Sequence, residues 1–160
     1  MSSKLFGWSL GVAALVALAV LIALASPASL QADSDPWTKA QTVQAADLAK
    51  ELGNPQTAPT VLFVGFKRLY SAGHIKGAEY HGTAGSEEGL KEMTSWAAGL
   101  SRSTNLVIYC GCCPMNRCPN IRPAFKALQE LGFKHLRVLL LPQDFATDWA
   151  GKGLPFDKGN

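Results

Sequence analysis

The chain has 160 residues, of which 48 % are hydrophobic, and its formal net charge is +3. This length corresponds to about one domain. The small net charge excludes a strongly basic nucleic-acid-binding protein and an acidic disordered tail, so we expect no nucleic acid among the partners. The sequence also lacks the internal repeats, heptads and multiple apolar spans that are typical of repeat arrays, coiled coils and multi-pass membrane proteins.

The first 32 residues have the layout of an export signal. Lys4 precedes an uninterrupted apolar run over residues 10–25, and small residues follow before the acidic Asp33. We interpret residues 1–32 as a signal peptide. The alternative is an uncleaved membrane anchor, because the apolar stretch counted from Leu5 nearly reaches the length of a span, about 20 residues. Both interpretations predict an exported protein, periplasmic or secreted, that contacts a membrane only if the segment is uncleaved.

The remaining 128 residues carry a net charge of +2, since Lys4 is the only charge removed, and they suffice for one hydrophobic core. We interpret residues 33–42 as a linker and residues 43–160 as the domain. Apolar runs typical of strands buried on both faces lie at residues 61–64, 106–109 and 136–141. Helical patterns lie at Ala45–Leu52, after the candidate N-cap Ser86, and from Ile121 to a C-terminal Gly132. This alternation predicts an α/β fold with a central parallel sheet and helices on both faces.

Four cysteines lie within nine residues, between the second predicted strand and the helix that follows it: Cys110, Cys112, Cys113 and Cys118. A loop in this position collects backbone N–H groups and the positive end of a helix dipole, which stabilise anions and lower a thiol's pKa. A downward pKa shift of about two units, about 2.7 kcal/mol, makes the thiolate the major form at neutral pH. The amide of Gly111 and the side chains of Arg117 and Arg122 are the candidate groups for holding an anion there.

Two further motifs lie on either side of the cysteine loop, at residues 73–78 and 149–155. Residues 73–78 (GHIKGA) resemble the GHIxGA signature of rhodanese-like domains, and Trp149, Gly153 and Pro155 resemble that family's closing W-x-x-x-G-x-P pattern. The order of elements matches over about residues 40–158. Gly65-Phe66 stands where the family usually has Asp-x-Arg, and the cysteine loop is longer than usual.

The resemblance implies a rhodanese-like fold in which a cysteine carries a persulfide. The family's nucleophile ends the central strand, which corresponds to Cys110. Cys112 is the rival, because Arg117 follows it at the family's spacing of five residues. The implied function is that of a sulfurtransferase or sulfur carrier. Its partners would be a small anionic donor such as thiosulfate and a thiol or cyanide acceptor, and we expect a monomer without a cofactor.

Two other interpretations of the loop remain open. Cys110 and Cys113 form a C-x-x-C pair, so two of the thiols could cycle through a disulfide. The simpler alternative is a structural disulfide, for example between Cys113 and Cys118, and a fully paired loop would leave no nucleophile. Alternatively, Cys110, Cys112, Cys113 and Cys118 together could bind zinc, copper or an iron–sulfur centre. The protein would then be a binding or sensing module.

Overall fold

The computed structural model of the protein describes residues 35–159. The signal peptide or anchor predicted for residues 1–32 lies outside the described residues. Five parallel strands form a sheet in the order β1-β6-β5-β2-β4. They are β1 (Thr42–Gln44), β2 (Thr60–Phe63), β4 (Glu79–Tyr80), β5 (Asn105–Tyr109) and β6 (His135–Leu140). Two short strands, β3 (His74–Ile75) and β7 (Phe156–Asp157), pair antiparallel in a second sheet.

Helices connect these strands. The α-helices are α1 (Ala45–Leu52), α2 (Lys67–Ala72), α3 (Glu87–Ala98), α4 (Ile121–Glu130) and α5 (Phe145–Asp148). Short 3-10 helices are formed by Lys39–Gln41, Met115–Arg117 and Ala150–Lys152. Within residues 35–159, no helix has the length and hydropathy needed to cross a membrane.

The central strand β5 is buried on both faces. Leu106 and Ile108 belong to a core cluster with α3 and α4, whereas Val107 and Tyr109 belong to a second cluster with α1 and Trp149. Successive side chains of a strand point to opposite faces, so one apolar run supplies both clusters. The predicted α/β fold, with a parallel sheet covered on both faces, is therefore confirmed.

The predicted helix ends at Ser86 and Gly132 are present. The Ser86 hydroxyl accepts a hydrogen bond from the Gly89 N–H at 3.2 Å and caps α3. At the end of α4, Gly132 has a φ of +87°. The Phe133 N–H donates to the Leu128 carbonyl at 3.3 Å, as in a Schellman motif. These caps fix the lengths of the two helices that cover one face of the sheet.

Several elements differ from the sequence prediction. The signature at residues 73–78, expected to form a turn, contains β3, and β3 pairs with β7 near the C-terminus. Helix α2 was not predicted, nor was β4. β1 begins at Thr42, inside the predicted linker. Within the same linker segment, Trp37 packs edge-on against the Phe125 ring at 5.5 Å. These elements depend on pairing and packing between distant segments, which local patterns do not encode.

The hydroxyl of Tyr109 links β5 to β3. It is fully buried and accepts a hydrogen bond from the Ile75 N–H at 2.9 Å. Tyr109→Phe leaves that N–H without its partner, so we expect the free energy of unfolding to fall by about 1–3 kcal/mol in denaturant titrations. Tyr80→Phe is the control, because Tyr80 and its Thr83 partner are only half-buried and water can replace the hydroxyl. An equal loss in both variants would contradict this role for Tyr109.

Candidate active site

The cysteine loop begins where β5 ends, at a position that only glycine fits. Gly111 has a φ of +65°, in the left-handed region that disfavours side chains. A Cβ at this position would also lie 2.8 Å from the Cβ of Phe145. The Gly111 carbonyl accepts a hydrogen bond from the Phe145 N–H at 3.0 Å, which ties the loop to α5. The chain therefore reverses sharply after Cys110 and folds its following cysteines back over the strand end.

The four cysteines are free thiols that crowd around one sulfur, that of Cys112. The Cys112 Sγ lies 3.1 Å from the Sγ of Cys110, 3.1 Å from that of Cys113 and 4.0 Å from that of Cys118. Cys110 and Cys118 are buried, whereas Cys112 and Cys113 are half-buried. The Sγ atoms of Cys110, Cys112 and Cys118 all lie within 4.8 Å of one another, so these three residues could hold a thiophilic metal ion.

A fully buried amide, Asn120, fixes the orientation of this cluster. Its Oδ1 accepts a hydrogen bond from the Gly85 N–H at 2.9 Å, so its Nδ2 must face the sulfurs. The Nδ2 donates to the Cys110 Sγ at 3.3 Å and lies 3.8 Å from the Cys112 Sγ. Because Cys110 receives this hydrogen bond, its own S–H is directed to Cys112.

The thiols have unequal pKa values as a result. The hydrogen bond from Cys110 is the main cause that lowers the pKa of Cys112 to about 5. The same hydrogen bond raises the pKa of Cys110 above the ordinary range, because it is made by the protonated form. Burial raises the pKa of Cys113 to about 12. The pKa of Cys118 is lowered by Cys110 and by the backbone N–H groups of Asn120 and Ile121.

Within residues 35–159, neither of the two predicted anion-binding arginines makes a side-chain hydrogen bond to a cysteine. Arg117 is exposed in the short helix Met115–Arg117. Arg122 forms an ion pair with Asp35, donates to the Met115 carbonyl at 3.3 Å and stacks over Trp37. At the start of α4, the backbone N–H groups of Asn120 and Ile121 donate to Cys118 and lower its pKa.

A cavity of about 370 Å³ adjoins the cluster. Cys110, Gly111 and Cys112 form one side of it, and aromatic rings and small side chains form the rest. Of the predicted site residues, the structure therefore brings these three together at an accessible surface. Cys113, Cys118, Arg117 and Arg122 are not part of this lining.

Asn120 is a site residue that the sequence analysis missed. Asparagine is favoured as the N-cap, the residue just before a helix, and Asn120 occupies that position before α4. Its side chain makes no capping hydrogen bond, however, and serves the sulfurs instead. The role of Asn120 cannot be recognised from the local sequence, because the Gly85 N–H that holds its side chain lies 35 positions away.

Solved structures with this fold were found at low sequence identity. The solution structure of a rhodanese-like domain from an Anabaena sp. protein is 24 % identical, with a TM-score of 0.55 over 74 % of this chain and 79 % of that one. A crystal structure of the same Anabaena protein is 22 % identical, with a TM-score of 0.57 over 73 % of this chain and 92 % of that one. Neither a protein-family model nor a curated protein matches the chain.

Two longer proteins contain a similar region. Thiosulfate sulfurtransferase from Pseudomonas aeruginosa is 24 % identical, with a TM-score of 0.52 over 74 % of this chain and 19 % of that one. EanB, solved as a cysteine persulfide with ergothioneine, is 20 % identical, with a TM-score of 0.51 over 73 % of this chain and 28 % of that one. The parallel five-stranded sheet, the cysteine at the end of its central strand and these structural neighbours together identify a rhodanese-like fold in this chain.

Proposed function

We propose that the protein is a sulfurtransferase or sulfur carrier whose Cys112 thiolate accepts a sulfur atom as a persulfide. The observation that carries this proposal is the position of Cys112: it is half-buried, lines the cavity, and receives the Cys110 hydrogen bond that lowers its pKa to about 5. A thiolate at neutral pH is the form that attacks sulfur. The resemblance to the family favours Cys110 instead, but Cys110 is 3 % exposed and its pKa is raised.

The reaction has two displacements. The Cys112 thiolate attacks the outer sulfur of thiosulfate or a similar donor, a new S–S bond forms, and the donor's S–S bond breaks. Sulfite leaves with the electron pair. A thiolate or cyanide then attacks the outer sulfur of the persulfide and regenerates the Cys112 thiolate. The S–H of Cys110 stabilises Cys112 as the attacking thiolate and again as the leaving group.

The structural neighbours support this proposal at the level of the fold. One of them is a thiosulfate sulfurtransferase, and another was solved as a cysteine persulfide. A fold does not determine a reaction, so the argument depends on the thiol cluster of this chain.

Metal binding is a second candidate function, favoured by the three Sγ atoms within 4.8 Å of one another. Thiolates select zinc, copper(I) or iron–sulfur centres. Cys113, whose Sγ lies 3.1 Å from that of Cys112, would supply a fourth ligand. In this case the same cysteines would be occupied by the metal, and no persulfide would form.

Single cysteine variants distinguish the possible nucleophiles. We expect the protein to gain the mass of one sulfur atom on incubation with thiosulfate or methanethiosulfonate. Cys112→Ser should abolish this gain, whereas Cys110→Ser should retain it because a serine hydroxyl still donates to Cys112. Cys113→Ser, outside the cavity, is the matched control. Loss in Cys110→Ser alone would make Cys110 the nucleophile, and stoichiometric metal without persulfide would favour the second candidate.

The lowered pKa predicts an unusual pH dependence. The alkylation rate of Cys112 by iodoacetamide should stay nearly constant from about pH 8 to about pH 6.5 and fall by half near pH 5, where the thiolate becomes protonated. An ordinary thiol, with a pKa of about 8.5, loses reactivity by about tenfold per pH unit below that value. Peptide mapping assigns the alkylated residue, and a midpoint near the ordinary value would contradict the proposed thiolate.

Asn120 is a positioning residue, and its substitution should move this midpoint. In Asn120→Asp, the Gly85 N–H keeps an oxygen acceptor, but a carboxylate oxygen replaces the Nδ2 donor and draws the Cys110 S–H away from Cys112. We expect the pKa of Cys112 to rise by about one to two units, the value of a hydrogen bond to a charged group. Asn116→Asp adds the same charge at an exposed position of the short helix Met115–Arg117 and should shift the pKa of Cys112 less. Equal shifts would indicate a general charge effect.

A further inference from the structure

The cavity beside the cysteines has apolar walls. The rings of Phe145 and Phe156 stand edge to face at 6.1 Å, and Phe63 and Leu69 extend the same surface. Small residues, including Ala72 and Gly73, leave the space between these side chains open. A Cβ at Gly73 would lie 3.4 Å from the Phe145 ring and 3.7 Å from the Phe156 ring. The absent side chain therefore keeps this part of the cavity free.

The charge of the cavity does not suit an inorganic anion. Among residues 35–159, no lysine, arginine or histidine lines it. Its one charged lining residue is acidic: Asp144, whose Oδ1 accepts from the Thr147 N–H at 2.7 Å and caps α5. An oxyanion bound here would face aromatic rings and a carboxylate with no compensating positive side chain.

The size of the cavity also exceeds what a small ion needs. Its volume of about 370 Å³ falls within the range of pockets that bind small organic molecules, about 300–1,000 Å³. Thiosulfate is only a few atoms across, whereas a phenyl-sized group attached to a sulfur would contact both Phe145 and Phe156. The cavity therefore matches the body of an organic molecule whose sulfur reaches Cys112.

We propose that the donor of sulfur is an organic sulfur compound whose uncharged, apolar body occupies this cavity. The inference rests on the sulfur transfer proposed above and names its substrate class. In the transfer step, the Cys112 thiolate attacks the terminal sulfur of R–SO₂–S⁻ or R–S–S⁻. The new S–S bond forms as the donor's bond to that sulfur breaks, and R–SO₂⁻ or R–S⁻ (the latter then protonated by water) leaves with the electron pair. The apolar walls bind R while its terminal sulfur is transferred to Cys112.

Two thiosulfonates that differ only in R test this inference. Benzenethiosulfonate and methanethiosulfonate have the same charge and both release a sulfinate, and they should be compared by the kcat/KM of sulfur transfer to cyanide. We expect the benzene compound to be favoured by at least about tenfold, after correction for the ratio of their uncatalysed rates, because its ring is buried against Phe145 and Phe156. Phe156→Ala should lower this preference several-fold.

Phe66→Ala is the matched control. Phe66 and Phe156 are 43 % and 40 % exposed, so both truncations are equally mild for folding, but Phe66 does not line the cavity. The preference should be unchanged in Phe66→Ala. Equal use of the two donors, or equal effects of the two variants, would overturn the apolar cavity as the substrate site and leave sulfur transfer intact. Failure to transfer sulfur from either donor or from thiosulfate would overturn the proposed function and this inference together.

Discussion

The hydrogen bond that Cys110 donates to the sulfur of Cys112 determines where negative charge resides in this site. The two Sγ atoms lie 3.1 Å apart in a partly buried cluster. Because charges at such distances repel strongly when shielded from water, ionisation of one thiol opposes that of its neighbours. The pKa of Cys112 is lowered while those of Cys110 and Cys113 are raised. Any reaction at the loop therefore depends on which thiol donates this hydrogen bond and which thiol accepts it.

The parallel sheet imposes this arrangement through close backbone approaches. A Cβ at Gly65, just after β2, would lie 3.0 Å from the Cys110 Sγ and 2.6 Å from the Phe63 ring. Gly111 supplies the left-handed turn after β5. The neighbouring strands β2 and β5 thus bring two glycines to one end of the sheet, where side chains would fill the space around the sulfur. Gly65 therefore has a steric role beside the Cys110 sulfur.

The sequence predicted those strands and helix ends that are determined by residues close together in the chain. The apolar runs of β2, β5 and β6, the cap at Ser86 and the glycine after α4 all follow from spacing that is readable within a few residues. The pairing of β3 with β7 and the contact between Asn120 and Gly85 connect residues far apart in the chain, so no short window contains them. Arg122 shows the same limit, because its ion-pair partner Asp35 lies 87 positions earlier in the chain.

Two of the positive groups near the loop, the guanidinium of Arg122 and the N-terminal amides of α4, are bound to partners outside the cavity. The first amides of α4 stabilise the thiolate form of Cys118, and the guanidinium of Arg122 is held by Asp35 and the Met115 carbonyl. Charge stabilisation from the start of α4 is thus directed at the Cys118 sulfur, while aromatic rings line the cavity beside Cys112. Since specificity comes from the groups that touch the substrate and not from the fold, the substrate class that we propose follows from this aromatic wall and not from the rhodanese-like sheet.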